Sequence, residues 1–296
     1  MNNSDFDTEE FIVDLHTHST FSDGSCTPTE LVELAAKVPN LKAIALTDHD
    51  SINGIEEFFE AGKRFPELEL ISGVEVSTLY GNKELHFVGL FVDHHNEELI
   101  AFLDNLKKER LDRNILMAKK LFSLGYPIDY EELPYHRDDS LGRVHFAKYI
   151  MEKYDFPDIQ SVFDRLLKQG CSGFVGRNLP LPSEAIAVIK KSGGIAIWAH
   201  PIFQERSHAR SYARRIVKKL KPFGLDGIEC HYSMFSKTQT AALLEIAESH
   251  EVLASGGSDF HGTHRPKVQL GIGGGFMRIP YSTLQKMTQH RLEKNK

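Results

Sequence analysis

Long apolar runs are missing from this chain. No stretch reaches the ~18–20 residues that a membrane-spanning helix needs, which argues against an integral membrane protein. Cysteine is scarce: Cys26, Cys171 and Cys230 are odd in number, far apart and form no CxxC pair. Neither a disulfide framework nor a thiolate zinc site is expected, and all three should be reduced and inert. An excess of positive charge is missing too, with 35 Lys and Arg against 41 Asp and Glu, a formal net charge of −6. That balance argues against a protein that coats nucleic acid through its phosphates, yet leaves room for a local basic pocket around one phosphorylated end. The N-terminus, MNNSDFDTEE, lacks the basic start and apolar core of a secretory signal, so a cytoplasmic protein with a frayed tail is expected. Repeats and low-complexity segments are absent. What is abundant is histidine, with fifteen residues in 296. Histidine is the commonest metal ligand, so placement matters more than number.

The 41% hydrophobic and 26% charged content is that of an ordinary soluble globular protein, long enough for one large α/β domain or one with an insertion. Apolar patterning predicts a strand at 11–17. A helix follows, with Thr27 as N-cap, Pro28 in its first turn and Glu30 closing a capping box. Next come a strand at 42–47, a helix near 53–65, and strands near 69–76 and 86–92. This alternation points to a parallel sheet with flanking helices. The rhythm changes after residue 96. Leu99, Phe102, Leu103 and Leu106, then Leu111, Ile115, Leu116 and Leu121, recur at helical spacing, and Gly125 and Pro127 end that helix. Residues 97–178 therefore read as a helical insertion between two parts of a barrel domain, 1–96 and 179–296. Alternation resumes with a helix near Ser183, a strand at 194–199, a basic amphipathic helix at about 207–220, strands at 226–230 and 252–256, and a helix at about 236–249.

The strand ends carry the chemistry. DLHTHS delivers His16 and His18, LTDHD delivers Asp48 and His49, and GVEVS delivers Glu75. After the insertion, AIWAHP delivers His200, GIECHY delivers Glu229 and His231, and GSDFHG delivers Asp259 and His261. In α/β barrels catalytic groups collect at the strand C-termini. His86, in LHFVGL, is the exception, lying near its strand's start, so that strand is expected to run differently or to project the ring from a loop. A lone histidine at a strand end is ordinarily just hydrogen-bonded. A set of histidines and carboxylates at successive strand ends is different, because buried carboxylates without partners are costly and metal ions are the usual way to neutralise them. Residues i and i+2 of a strand face one side, so His16 with His18, and Asp259 with His261, can grip an ion together. The donors are nitrogen and oxygen only, which suits Mn²⁺, Zn²⁺ or Fe²⁺.

In this order, DLHTHSTFSDG, LTDHD, GVEVS, LHFVGL, AHP and GSDFHG resemble the polymerase and histidinol phosphatase (PHP) family over nearly the whole chain. That resemblance implies a distorted (β/α)7 barrel, here with the helical insertion. ERLDRNILMAKKLFSLG, GRVHFAKYI and SEAIAVIKKSGGIAIWAHP look most like its stand-alone branch, whose members act as 3′,5′-nucleotide bisphosphate phosphatases and as 5′→3′ exoribonucleases on short RNA. It implies two or three divalent ions, Mn²⁺ foremost with Zn²⁺ or Fe²⁺ as alternatives. His16, His18, Glu75 and Asp259 would hold the first. Glu75 would bridge to a second completed by His86 and His200. Asp23, His49 and His261 would hold a third, and a carboxylate at position 23 favours Mn²⁺ or Mg²⁺. Asp48 would orient a ligand imidazole, and is grouped with His200, Asp259 and His261 as catalytic. Such ions activate water and neutralise phosphoryl oxygens, leaving the protein mainly positioning and cationic clamps to supply. Arg143 and Arg177 are the clamp candidates, with His145 beside them and His231 at a strand end as further phosphate-binding candidates.

The expected activity is hydrolysis of phosphate esters of a small phosphorylated nucleotide or of a short RNA end. Alternatives are a phosphatase of a small metabolite such as histidinol phosphate, which lacks this insertion pattern, and a non-catalytic PHP module, against which the intact ligand set argues. The basic helix ARSYARRIVKKLK reads as the outer face of a barrel helix, and Arg110 and Arg113 as helix charge. His94, His95, His136, His208, His250, His264 and His290 match no strand-end motif.

Overall fold

A computed structural model of the chain describes residues 11–128, 133, 141–202, 208–275 and 277–294. The expected N-terminal fray and His136 lie outside the described residues. The chain divides into two compact units, Met1–Phe102 with Pro180–Lys296, and Leu103–Leu179.

The first unit is a seven-stranded sheet in sequence order. β1 (Ile12–Thr17) leads to α1 (Pro28–Ala35), β2 (Leu41–Leu46), α2 (Ile55–Gly62), β3 (Glu69–Tyr80) and β4 (Lys83–Leu90). α1 starts as its sequence requires: Glu30 N–H donates to Thr27 Oγ1 at 3.1 Å, and Thr27 N–H donates back to Glu30 Oε2 at 2.8 Å. α3 (Glu97–Ser123) begins in this unit and ends in the other. The second unit adds α4 (Arg143–Lys153) and α5 (Ile159–Val162), the latter running into a π-turn at Phe163–Leu167. Its own core gathers Met117, Leu121, Phe146, Ile150, Val162 and Leu167. The chain then returns to the first unit through α6 (Pro182–Lys191), β5 (Ile195–Trp198), α7 (Ala209–Leu220), β6 (Gly227–Tyr232), α8 (Lys237–Ser249), β7 (Leu253–Gly257) and α9 (Tyr281–Lys294).

The sheet nearly closes on itself. Thr17 bridges Phe260 in parallel, Asp259 N–H donates to His16 O at 2.9 Å, and His18 N–H donates to Phe260 O at 3.0 Å. Buried Asp14 adds a tie, accepting from Ser258 N–H and Gly271 N–H at 2.8 Å each. The result is the distorted (β/α)7 barrel, filled at its base by Val13, Leu15, Ala43, Ile71, Val88, Leu90, Ile197 and residues of α9. α7 packs Tyr212, Ala213, Ile216, Val217 and Leu220 inward and leaves its basic residues outside.

The sheet departs from the uniform parallel arrangement in one place. β4 is antiparallel to both β3 and β5, because β3 runs on to Tyr80 and turns back within two residues. The early residues of β4 therefore lie at the end where the parallel strands finish. That placement resolves the exception at His86.

Candidate metal centre

Strand periodicity builds the centre. On β3, Ile71 and Glu75 belong to one alternating column, and on β4 so do His86, Val88 and Leu90. The lower members of these columns fill the apolar base and the upper members, Glu75 and His86, stand above it. On β1 the pairing with β2 is irregular between Asp14 and Thr17. This shift in phase lets His16 and His18 continue the column that Val13 and Leu15 begin.

Glu75 is fully buried at the middle of an imidazole ring set. Its Oε1 lies 3.0 Å from His86 Nδ1 and 2.9 Å from His200 Nε2. Its Oε2 lies 3.2 Å from His16 Nε2, 3.4 Å from His18 Nε2 and 2.9 Å from His49 Nδ1. Asp259 Oδ1 lies 3.1 Å from His18 Nε2 and 3.7 Å from His16 Nε2. Asp23 Oδ1 lies 3.0 Å from His261 Nε2 and 3.7 Å from His49 Nε2. Asp23 reaches this position through a tight return of the chain. Gly24 N–H donates to Ser19 O at 2.9 Å, and a Cβ at Gly24 would sit 2.5 Å from His18 O. Only glycine fits there. Likewise a Cβ at Gly257 would fall 2.2 Å from His16 Cβ, so a bare backbone is needed for β7 to pass β1. His200 and Asp259 both adopt left-handed backbone, at φ 30° and 57°. Strain of this kind gathers at functional sites.

The protonation pattern follows from burial and neighbours. Burial opposes ionisation of Glu75, but the imidazoles of His49, His16 and His86 override it and hold its carboxyl well below the usual range. For His86, burial works against the proton, yet Glu75 and Glu84 push the imidazole up to about 10. His18 goes the other way: burial, then the charges of His261 and His49, bring it down to about 3. Asp259 is held low against burial by Arg265 and His261. The donor set is thus rich in groups that would exchange protons for a cation.

The residues fit a metal by a separate observation. Among the described residues, His16 Nε2, His18 Nε2, Asp23 Oδ1, Glu75 Oε2 and His261 Nε2 are buried without a hydrogen-bond partner. Such atoms are rare and call for an explanation, and here they converge on one region. His16, His18 and Glu75; His49, Glu75 and His86; and His18, Asp23, His49 and His261 each bring one ligand atom per residue within 4.8 Å of the others.

Other residues fall differently. Asp48 does not touch a ligand imidazole, as a direct orienting role requires. Its carboxylate accepts from Ser19 N–H at 2.7 Å, Ser19 Oγ at 2.6 Å and Ser22 Oγ at 2.5 Å. Ser22 Oγ is in turn 3.4 Å from His18 Nδ1, so Asp48 acts one step away. His231 is half-buried, and burial lowers its pKa. Arg143, His145 and Arg177 belong to the helical unit. There Arg143 stacks 5.7 Å from the Phe174 ring centre, and His145 Nδ1 accepts from Gly142 N–H at 3.0 Å to cap α4.

Three further residues support the centre: Glu229, which stands at a strand end in GIECHY without being one of the expected ligands, and Tyr232 and Arg265, which no sequence motif marks. Glu229 Oε1 is 3.0 Å from His16 Nδ1, and its Oε2 accepts from His200 N–H at 2.7 Å. The β6–β7 pairing slips between Glu229 and His231, which separates two residues that simple alternation would put on one face. Tyr232 OH donates to Asp259 Oδ2 at 2.8 Å, and Arg265 forms an ion pair with the same oxygen.

The PHP domain profile matches residues 14–197. The chain belongs to the PHP domain family. A 5′-3′ exoribonuclease of Haemophilus influenzae is 36% identical over 248 residues, 84% of this chain and 89% of that protein. A 3′,5′-nucleoside bisphosphate phosphatase of Chromobacterium violaceum is 32% identical over 252 residues, 84% of this chain and 87% of that protein. A crystal structure from Bifidobacterium adolescentis, assigned as a metal-dependent phosphoesterase, superposes with a TM-score of 0.81 at 27% identity, over 94% of this chain and 95% of its own. As a PHP protein of this kind, the chain is a metal-dependent phosphoric ester hydrolase.

Proposed function

We propose that this PHP protein removes the 3′-phosphate of nucleoside 3′,5′-bisphosphates, trims short RNA from a 5′-phosphate end, or does both. The observation that carries the reading is the convergence near Glu75 of buried nitrogen and oxygen atoms that lack hydrogen-bond partners. The choice of nucleotide substrates is supported by the two relatives, similar over most of their length. His16, His18, Glu75 and Asp259 would hold one ion, Glu75, His86 and His200 a second, and Asp23, His49 and His261 a third. Mn²⁺ is proposed first, on the hard carboxylate that Asp23 contributes, with Zn²⁺ or Fe²⁺ as alternatives that the same nitrogen and oxygen donors suit. Bound there, divalent ions supply Lewis acidity toward phosphoryl oxygens and bring the pKa of water from ~16 toward ~7.

The chain's own groups do the positioning. Glu229 Oε1 accepts a hydrogen bond from His16 Nδ1–H, which leaves the Nε2 lone pair facing the centre. The backbone carbonyl of Asp259 does the same for His261, 2.8 Å from its Nδ1, leaving Nε2 toward Asp23. Tyr232 and Arg265 occupy Asp259 Oδ2, so Oδ1 is the oxygen presented to His16 and His18. Asp48 fixes the Ser19–Ser22 loop that carries His18. Arg143, Arg177, His145 and His231 are proposed as phosphate-binding groups, the arginines as charged clamps and His231 as a neutral donor. A cytoplasmic location is proposed on the three free cysteines, Cys26, Cys171 and Cys230.

The test is phosphate or mononucleotide release with Mn²⁺ from adenosine 3′,5′-bisphosphate, a 5′-phosphorylated RNA oligomer and histidinol phosphate. Turnover of one or both nucleotide substrates is expected. Turnover of histidinol phosphate alone would overturn the assignment, and no turnover of any by metal-replete protein would make this a non-catalytic PHP module.

A further inference from the structure

A second cluster of ligand-type side chains lies outside the centre. Glu56 stands in the first turn of α2, and His94 and His95 lie in the connection from β4 to α3. Glu56 Oε1 is 2.9 Å from His94 Nε2 and 3.3 Å from His95 Nε2, and the two rings are 4.1 Å apart. Two nitrogens therefore face one carboxylate oxygen. Ligands at about 2.0–2.2 Å from a tetrahedral ion sit roughly 3.3–3.6 Å from one another, so the two carboxylate–imidazole separations need to open by only a few tenths of an ångström.

The connection is held in place by its own backbone. It leaves β4 through Phe91, whose φ of 61° turns the chain sharply. Asp93 N–H donates to Ser192 O at 2.8 Å, Asn96 N–H donates to Asp93 O at 3.0 Å, and His95 N–H donates to Asp93 Oδ1 at 3.0 Å. Asn96 Oδ1 then accepts from Leu99 N–H at 3.0 Å and caps α3. His94 is largely covered, 6.0 Å from the Phe59 ring, whereas the His95 side chain is 73% exposed and Glu56 69%. One imidazole is thus fixed, and the other two ligands are free to settle around an ion arriving from solvent.

We infer that Glu56, His94 and His95 form a peripheral site for a late first-row divalent cation, Zn²⁺ in the first instance. Two imidazoles and one carboxylate are a zinc ligand set, with a remaining position open to water. The bound ion cross-links α2 to the β4–α3 connection. Adjacent histidines in a turn matched no strand-end motif in the sequence, and only the fold brings Glu56 to them.

The experiment is equilibrium dialysis of the Mn²⁺-loaded full chain against micromolar Zn²⁺, with bound zinc counted by elemental analysis. Wild type is compared with His95→Ala and with Glu56→Gln. Both replaced side chains are mostly exposed, and retained Mn²⁺-dependent hydrolysis shows that each variant is folded. The expected result is one zinc per chain fewer in His95→Ala and weakened zinc retention in Glu56→Gln. Equal zinc in all three proteins would overturn the site. Loss in His95→Ala with no change in Glu56→Gln would overturn the three-residue ligand set.

Discussion

Glu75 and Asp226 are both buried carboxylates of the barrel, ringed by groups able to carry positive charge, yet their surroundings differ in kind. Asp226 lies just before β6, at the end where the parallel strands begin. Its Oδ1 meets Lys190 Nζ at 3.0 Å, Lys294 Nζ at 2.9 Å and His290 Nε2 at 2.8 Å, and its Oδ2 accepts from Ala196 N–H at 2.9 Å. The lysines bring permanent charge and are only partly covered, so the network is complete as it stands. Glu75 lies where the parallel strands finish, and its neighbours are imidazoles, which can release a proton and turn a lone pair to an ion. Its Oε2, with His16 Nε2 and His18 Nε2 beside it, has no hydrogen-bond partner. One end of the barrel satisfies its buried charge with protein, and the other gathers ligand-type atoms where the proposed function places an ion. That division matches the general rule for α/β barrels, chemistry at the C-terminal ends of strands and stability at the other.

Substitutions at the two ends should differ in activity per folded molecule. Glu75→Gln should lower phosphoester hydrolysis per folded molecule by about 10³-fold or more, and because the surrounding imidazoles hold the Glu75 carboxyl low it should also lower the melting temperature of the metal-free protein. Steady-state rates and a melting curve on the same protein check this. Tyr232→Phe removes one of the two groups on Asp259 Oδ2 and should weaken metal affinity or activity by ~10–100-fold. A metal titration of activity checks it, and an unchanged half-saturation and rate would remove Tyr232 from the centre.

Asp226→Asn should leave activity per folded molecule intact and lower stability by about 1–2 kcal/mol, the lower part of the range for charge-assisted bonds because its lysine partners are partly solvated. The pH dependence has a definite sign. Burial raises Asp226, but Lys294, His290, the Ala196 amide and Lys190 outweigh it and depress the carboxyl. A depressed folded-state pKa contributes stability above the unfolded value of about 4, and that contribution disappears as pH falls through the folded value. The gap in melting temperature between wild type and Asp226→Asn should therefore be constant near neutral pH and shrink below about pH 4. A gap that widens on acidification would contradict the direction of the shift.

The separation also explains what could be read from the chain alone. His16, His18, Glu75, His200, Asp259 and His261 stood at strand ends, and the alternation of strands and helices was enough to bring them to one face of a barrel. His86 needs the reversed direction of β4, which rests on a hairpin turn after Tyr80, whereas the apolar pattern ends one strand near residue 76 and starts the next at 86. Glu229 was visible in GIECHY but paired by simple alternation with His231. Only the slip between β6 and β7 shows that the two part company. Tyr232 and Arg265 gave no signal, because an ordinary tyrosine and arginine become supports of Asp259 only through contacts across the fold. Asp48 looked like an orienting group for a histidine, and the serines that intervene between them are ordinary loop residues in sequence.

The decisive measurement is the metal content of the protein after loading with Mn²⁺ and dialysis against metal-free buffer, for wild type beside Glu75→Gln. Wild type should retain roughly two to three ions per chain, and Glu75→Gln, lacking the carboxylate that faces His16, His18, His49, His86 and His200, should lose most of them. Wild-type protein that retains none, or a Glu75→Gln variant that retains as many, would contradict a centre built around Glu75.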